Sequence, residues 1–459
     1  MNIFIHHRDL RFIDNTTLID QTKNEKEVTP IFVFDPNQID EKKNKYFSHN
    51  LVQFMIESII ELNKDYKSKK GELYTFKGDY IKIFKYLHKK YKINSIGFNL
   101  DYSPYAKERD SKIMKFCKKN EIKVYAKEDM LLHNIMDKET FSKTEQPYKV
   151  FTPFKNNLIN RKLREVDTFK NFKFSKNLKL KKSKYYFDDM KSLYEPNKNV
   201  LVEGGRKWAI NRLKKIKDYS KYDKCRDFMT YETTLLSASI NFNVVSIREI
   251  YKKMKDKFGL RHGLINELYW RDFYYNILYF FPKVIKGSFR EKYDNIKWRN
   301  AQADFKKWCE GKTGFPIVDA CMRQMNTTGY MHNRGRMIVS SFLIKNLWID
   351  WRWGEQYFAN KLTDYNISAN NGGWQWGSGG GTDAQPYFRI FNVWTQAKKF
   401  DAQCEYIKKW IPELKDIPVK DILGWDKCHK KYDIDYPEPI VDHKETRERA
   451  LLLFKKYLK

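Results

Sequence analysis

The chain has 459 residues, 41% of them apolar, with only 20 Gly and 13 Pro, so it has room for two or three domains and the composition of a folded protein. Lys and Arg outnumber Asp and Glu by 88 to 57, a formal charge of +31, which points to a polyanionic partner and salt-dependent binding. No apolar run approaches the ~20 residues of a membrane span, and the opening "MNIFIHHRDLRF" places charge where an export signal carries its apolar stretch.

In chain order, "NIFIHH" (2–7), "TPIFVF" (29–34), "ELYTFKG" (72–78), "NSIGFN" (94–99) and "IKVYA" (122–126) read as strands. Between them 46–66, 80–92 and 105–120 carry apolar residues at helical spacing, and the alternation predicts a doubly wound parallel sheet. No G-x-G-x-x-G occurs in it, so a dinucleotide site in this sheet is not supported. From about 140 to 205 the pattern gives way to a Lys-rich stretch, including "NLKLKKSKYYFDDMKSLYEPNKN", expected to be a connection running over the surface. Helical spacing then dominates at 206–217, 245–257, 264–280, 301–309, 315–327, 333–348, 353–360 and 395–410. The six cysteines are scattered without a C-x-x-C, which fits free thiols in a reducing, intracellular setting (cytoplasm or nucleus) and no metal site.

The chemistry concentrates from Trp208 onward, where all twelve tryptophans lie. In "INELYWRDFYYNILYFFP" (265–282), Glu267, Trp270, Arg271 and Tyr274 share one helix face, as either an ion pair beside a core indole or a ligand pocket. The segment 314–358 adds Arg323, Arg334 and Arg336 with His332 and Asn333, and Arg suits bidentate phosphate recognition. "TTLLS" (233–237) offers hydroxyls at an expected helix start. In "NNGGWQWGSGGGTDAQPYF" (370–388) the glycines predict a loop that presents Trp374 and Trp376 to something planar.

Together "ELYWRDFYYN", "GKTGFPIVDACMRQMNTTGYMHNRGRMIVSSFLIKNLWIDWRWGEQYF", "ANNGGWQW" and "GTDAQPYFRIFNVWTQAKKFD", with the opening "HHRDLRFIDN" and "DYSPYAKERD" (101–110), resemble the photolyase/cryptochrome family. The resemblance is to its class I members that repair cyclobutane pyrimidine dimers. It implies an N-terminal α/β domain with a doubly wound, Rossmann-like parallel sheet (1–135), a connector (136–205) and an all-α FAD- and DNA-binding domain (206–459). It further implies one non-covalent FAD, with Tyr222, Thr233, Thr234, Leu236, Ser237 and Arg271 around the phosphates. Asn333, Arg336, Asp364, Asn366 and Asn370 would line the ring, Asn370 beside flavin N5. Glu267 would hydrogen-bond the damaged base, Trp270 and Trp376 would grip the dimer, and Met337 stands where dimer-specific enzymes carry methionine. Arg226, Arg334 and Arg389 match DNA contacts. Trp374, Trp351 and Trp298 match the inner, middle and surface members of a tryptophan electron-transfer chain.

The implied reaction is light-driven: excited, reduced FAD lends an electron to a flipped-out dimer in UV-damaged DNA, the ring splits, and the electron returns. The implied partner is damaged DNA and the implied state a monomer, with no membrane. Glu108 matches an antenna contact; methenyltetrahydrofolate, deazaflavin, a flavin or no antenna remain the alternatives. Several positions depart from the family: His6 and His7 replace an aromatic pair, Leu235 an arginine, and Trp353 a charged residue, which makes it either a second electron exit or a surface aromatic. Asn366 replaces an aspartate near the flavin N3–H edge; its oxygen is expected to accept that hydrogen bond, and Asn366→Asp to shift the flavin potential. The rival readings are a cryptochrome-type blue-light photoreceptor and a basic DNA-binding protein without catalysis.

Overall fold

The computed structural model describes residues 1–176 and 179–458. Two compact units form, one from Met1–Asn197, Val202–Asp218 and Thr234–Phe280, the other from Lys198–Leu201, Tyr219–Thr233 and Phe281–Lys459. The contacts thus divide the chain elsewhere than at residue 205.

The first unit is built on five parallel strands, β1 (Asn2–His6), β2 (Thr29–Phe34), β3 (Tyr74–Lys77), β4 (Ser95–Asn99) and β5 (Lys123–Lys127), in the order β3-β2-β1-β4-β5. Every residue of β1, β2 and β4 is buried, as expected of a sheet covered on both faces. The predicted helices lie at His49–Ser68, Tyr80–Tyr91 and Pro104–Lys119. A further one, Thr16–Asn24, starts where the Asn15 side chain accepts from the Leu18 amide at 3.2 Å.

The stretch expected to be a surface connection is instead part of this unit. The Lys77 amide donates to the Tyr185 carbonyl at 2.9 Å and the Phe187 amide to that of Thr75 at 3.0 Å, so the chain after residue 180 pairs with β3 and covers a sheet edge. The first two residues of the quoted Lys-rich run, 177 and 178, lie outside the described ones.

A buried ion cluster explains why the helix Ile247–Phe258 belongs with the sheet. Arg11 meets Asp129 at 2.5 Å, and Arg248 spans Asp14 (2.8 Å) and Asp129 (2.7 Å). All four side chains are at most 5% exposed. The two guanidinium groups hold the Asp129 carboxyl well below its ordinary range against the effect of burial.

The second unit packs the helices Gln302–Glu310, Pro316–Thr328, Asn333–Ser341, Trp351–Lys361, Ile367–Ser378, Val393–Phe400, Glu405–Trp410 and His443–Tyr457 around a core that includes Trp308, Trp351 and Trp425. Two predicted helices are interrupted. The 333–348 helix turns π-helical over Phe342–Asn346. The 395–410 helix breaks at Asp401–Cys404, where Cys404 takes φ 54° and the Asp401 carboxylate accepts from the amides of Tyr406 and Ile407. Among the described residues no helix is long and apolar enough to cross a membrane.

Candidate functional site

The first part of the expected glycine-rich loop, through Ser378, belongs to a helix, Ile367–Ser378, and only 379–388 is irregular. Buried amides override the glycines' poor helix propensity. Asn371 donates to the Val284 carbonyl (3.0 Å) and to Glu355 (2.9 Å), while Gln375 donates to Val284 (2.8 Å), Gly287 (3.1 Å) and the Asn371 oxygen (3.0 Å). The helix sends its two indoles different ways. Trp374 is 2% exposed and packs on Phe358 (ring centroids 5.0 Å) and Trp308 (6.1 Å). A Cβ at Gly354 would lie 2.1 Å from the Trp374 ring, so only glycine admits it there. Trp376 is half-buried and has no ring contact among the described residues.

Asn366 caps this helix: its side-chain oxygen accepts from the Ser368 amide (3.1 Å), the Ser368 hydroxyl (2.6 Å) and the Ala369 amide (3.2 Å). The oxygen expected to serve a ligand is therefore committed to the helix end. Asn370 donates to the Glu355 carbonyl at 3.0 Å.

The neighbouring helix begins at Asn333, with the buried His332 ring accepting from the Arg334 amide; burial lowers the His332 pKa to about 4 and keeps the ring neutral. Arg336 is fixed by the Asp364 carboxylate (2.9 and 3.1 Å) and the Met331 carbonyl (2.9 Å). Arg334 pairs with Asp227 at 2.7 Å and lies 4.4 Å above Phe400, leaving its Nε without an acceptor. Asn333 reaches the Met337 sulfur at 3.9 Å. Arg226 lies over the Tyr222 ring, and the Thr233 hydroxyl meets that of Tyr330 at 3.3 Å. Arg323 does not join this group; it is drawn off to Glu413 at 2.7 Å.

Two features here escaped the sequence reading. Lys345, fully buried in the π-helical turn, donates to the Arg389 carbonyl at 2.6 Å, and burial beside Arg389 lowers its pKa to about 7. The signal was a lone lysine in the apolar run "SSFLIKNLWI". Trp308, at 0% exposure, is the hub between Trp374 and the partly buried Phe305. Of the tryptophans expected to form a chain, Trp351 is 1% exposed with Arg352 4.7 Å over its ring, and Trp298 packs on Trp348 at 5.0 Å.

In the first unit, the helix Gly263–Phe280 carries the Glu267 face as predicted. Trp270 stacks flat on Phe151 at 3.7 Å, a partner not foreseen, and meets Tyr274 at 5.6 Å. Arg271 donates through Nη1 to the Met130 carbonyl (3.0 Å) and Asp272 (2.9 Å). Its buried Nη2 has no acceptor, a donor suited to an anionic oxygen. Thr234 accepts Arg212 at its carbonyl, Leu235 takes a left-handed φ of 57°, and Leu236 directly precedes the short helix that opens at Ser237. At the carboxyl ends of β1 and β4, where the strand order reverses, Arg8 forks onto Asp101 (2.8 and 2.9 Å), and Asn99 bonds Asp9 (2.6 Å). His6 bonds the Tyr66 hydroxyl, whereas His7 is buried with neither ring nitrogen partnered; burial and Arg109 hold it neutral. Glu108 is solvent-facing and paired with Lys112 at 2.6 Å.

Residues 264–456 match the family described as the FAD binding domain of DNA photolyase, and residues 2–170 match DNA photolyase. The deoxyribodipyrimidine photo-lyase of Buchnera aphidicola subsp. Acyrthosiphon pisum is 36% identical over 99% of this chain and 96% of its own length. This chain belongs to the DNA photolyase family. The Escherichia coli K12 deoxyribodipyrimidine photo-lyase is 40% identical over 67% of each chain. Among solved structures, the archaeal photolyase of Sulfolobus tokodaii, which contains two FAD molecules, superposes with a TM-score of 0.88 at 36% identity, covering 99% of this chain and 100% of its own. A Synechocystis cryptochrome shares the fold, with a TM-score of 0.87 over 99% of both chains at 24% identity.

Proposed function

We propose that this photolyase-family chain splits cyclobutane pyrimidine dimers in UV-damaged DNA in a light-driven reaction, using one non-covalently bound FAD. The observation that carries the reading is the helix Ile367–Ser378, which buries Trp374 in an aromatic core and leaves Trp376 half-exposed with no ring partner of its own. An indole without a stacking partner, on a helix pinned by buried amides, suits a planar ligand.

The residues present fit FAD. The unpaired Nη2 of Arg271 suits a phosphate oxygen, and Tyr222, Thr233, Thr234, Leu236 and Ser237 match further phosphate contacts of the family. Asn333, Arg336, Asp364 and Asn370 would hold the ring, with Asn366 fixing the start of the helix that carries Asn370. Bound FAD supplies the light absorption and the one-electron donor that no side chain offers. Arg336, immobilised by Asp364 and the Met331 carbonyl, offers a guanidinium held in a fixed plane, its charge offset by that carboxylate. Glu267 would hydrogen-bond the damaged base, and Trp270, Met337 and Trp376 match lesion contacts of the family. Stacking on Phe151 holds the Trp270 plane still, which leaves one face to offer. Arg226, Arg334 and Arg389 would take DNA phosphates; Lys345 fixes the Arg389 backbone.

The test is illumination of pre-reduced protein with UV-irradiated oligothymidylate, followed by near-UV absorbance. Recovery of thymine absorbance under blue light alone, slowed in Glu267→Ala, is the expected result. No recovery from flavin-loaded, photoreducible protein would overturn it in favour of a cryptochrome-type photoreceptor, and failure to copurify FAD would leave a DNA-binding protein without catalysis.

A further inference from the structure

We infer that a second electron path runs from Trp374 through Trp308 to Trp353 and reaches solvent independently of Trp351 and Trp298. The inference rests on the reading above that a flavin is bound beside Trp374. Trp374 and Trp308 are in edge contact, with ring centroids 6.1 Å apart. Trp308 lies face to face with Phe305 at 5.8 Å, and Phe305 meets Trp353 at 5.2 Å. The two outer indoles are therefore separated by a single aromatic ring. Phenylalanine is too hard to oxidise to hold the hole, so Phe305 acts as a bridge and Trp353 as the next station.

The surroundings decide where a hole comes to rest. The buried Trp308 indole donates its N–H to the Val339 carbonyl at 3.2 Å. A carbonyl is no base, so an oxidised Trp308 keeps its proton and passes the hole on. Tyr357 touches both Trp308 (5.8 Å) and Phe305 (6.4 Å), but its phenol donates to the Cys309 carbonyl and the Asn326 amide oxygen. Burial raises its pKa further, so this tyrosine has nowhere to send the proton its oxidation must release. Trp353 is partly exposed and can lose its indole proton to water.

On the expected path, Trp351 bears the Arg352 guanidinium 4.7 Å over its ring. A nearby cation raises the cost of a radical cation, although Asp294 and Asp350 offset part of that charge. Among the described residues Trp351 makes no ring contact, and no cation lies over Trp308.

The steps balance. Trp374 gives one electron to the photoexcited, oxidised flavin; Trp308 gives one to the Trp374 radical cation; Trp353 gives one to Trp308 and releases its indole proton to water. A thiol reductant in solution then returns one electron and one proton to Trp353.

The experiment uses the flavin-loaded protein and its Trp298→Phe, Trp353→Phe and doubly substituted forms, each checked for flavin content by absorbance. After illumination in air, peptide mass spectrometry locates oxidised tryptophan, and transient absorption follows the tryptophan radical. We expect Trp298→Phe to keep a long-lived radical and to accumulate oxidation at Trp353, and the double variant to lose both. Loss of the radical in Trp298→Phe alone, with no oxidation at Trp353, overturns the branch. Should a variant fail to retain flavin, Trp298→Tyr and Trp353→Tyr replace it, since a tyrosine radical is spectrally distinct. If flavin is absent from every form, including the unsubstituted chain, the reading of a bound flavin fails as well.

Discussion

Lys345 sits in an environment far from the one its charge prefers. An ordinary lysine titrates near 10.5, whereas burial beside Arg389 brings this one to about 7. Between those values the unfolded chain holds a proton that the folded chain lacks, so this group makes stability rise with pH from about 7 to 10. We expect Lys345→Met to flatten the melting temperature against pH in that window relative to the unsubstituted protein; an unchanged slope would show that the lysine does not titrate there. Asp364 pairs with Arg336. Asp364→Asn removes the charge that neutralises Arg336, whose side chain is 27% exposed. The expected cost is about 1–3 kcal/mol by urea denaturation, with loss of flavin retention. At Asn366 the oxygen is spent on the helix cap, so Asn366→Asp brings a negative charge to a helix N-terminus, which stabilises it by about 0.3–1 kcal/mol. A measured flavin potential distinguishes this purely structural effect from the expected electronic one.

At the scale of elements, the helix Ile367–Ser378 depends on neighbours more than on its own sequence. Gln375→Leu should cost about 1–3 kcal/mol by leaving the Gly287 carbonyl and the Asn371 oxygen without their donor and the Phe289 amide without its acceptor, and should release the segment to proteolysis. Gly354→Ala attacks the same element from outside, because the added methyl meets the Trp374 ring; overpacking of this kind costs about 1–3 kcal/mol. A shift in Trp374 fluorescence with unchanged helix content would confirm that the ring, not the helix, gives way. These features also show what a sequence conceals. The strands were readable because burial on both faces leaves unbroken apolar runs such as "TPIFVF". The helix was not, because its glycines argue locally for a loop and the carbonyls that decide otherwise lie some 90 residues upstream at Val284 and Gly287. The pairing of β3 with Phe187 was hidden for the same reason, being a contact across more than 100 residues.

For the whole molecule, the charge of +31 sets how binding responds to salt. Each phosphate contact contributes a slope of about −0.9 to log K against log salt on duplex DNA. We therefore expect Arg226→Ala to weaken binding to damaged and undamaged duplex alike and to reduce the slope by about one. A change confined to damaged DNA would assign Arg226 to the lesion instead. The two family matches span both compact units, and the family was legible because its motifs are long and ordered. Phe151, Trp308 and Lys345 were not, since a stacking partner, an aromatic hub and a buried cation carry no pattern of their own.

The helical setting of Trp374 and Trp376 has one more consequence. Two positions apart on an α-helix means a rotation of about 200°, so the segment works as a septum with one indole on each side. A loop would tolerate a residue gained or lost between Asn366 and Ser378; a septum does not, because one insertion turns everything beyond it by about 100°. Length here is as binding as identity: a chain with every tryptophan intact and one extra alanine after Gln375 would keep Trp374 in the core and turn Trp376 by about 100° from its place.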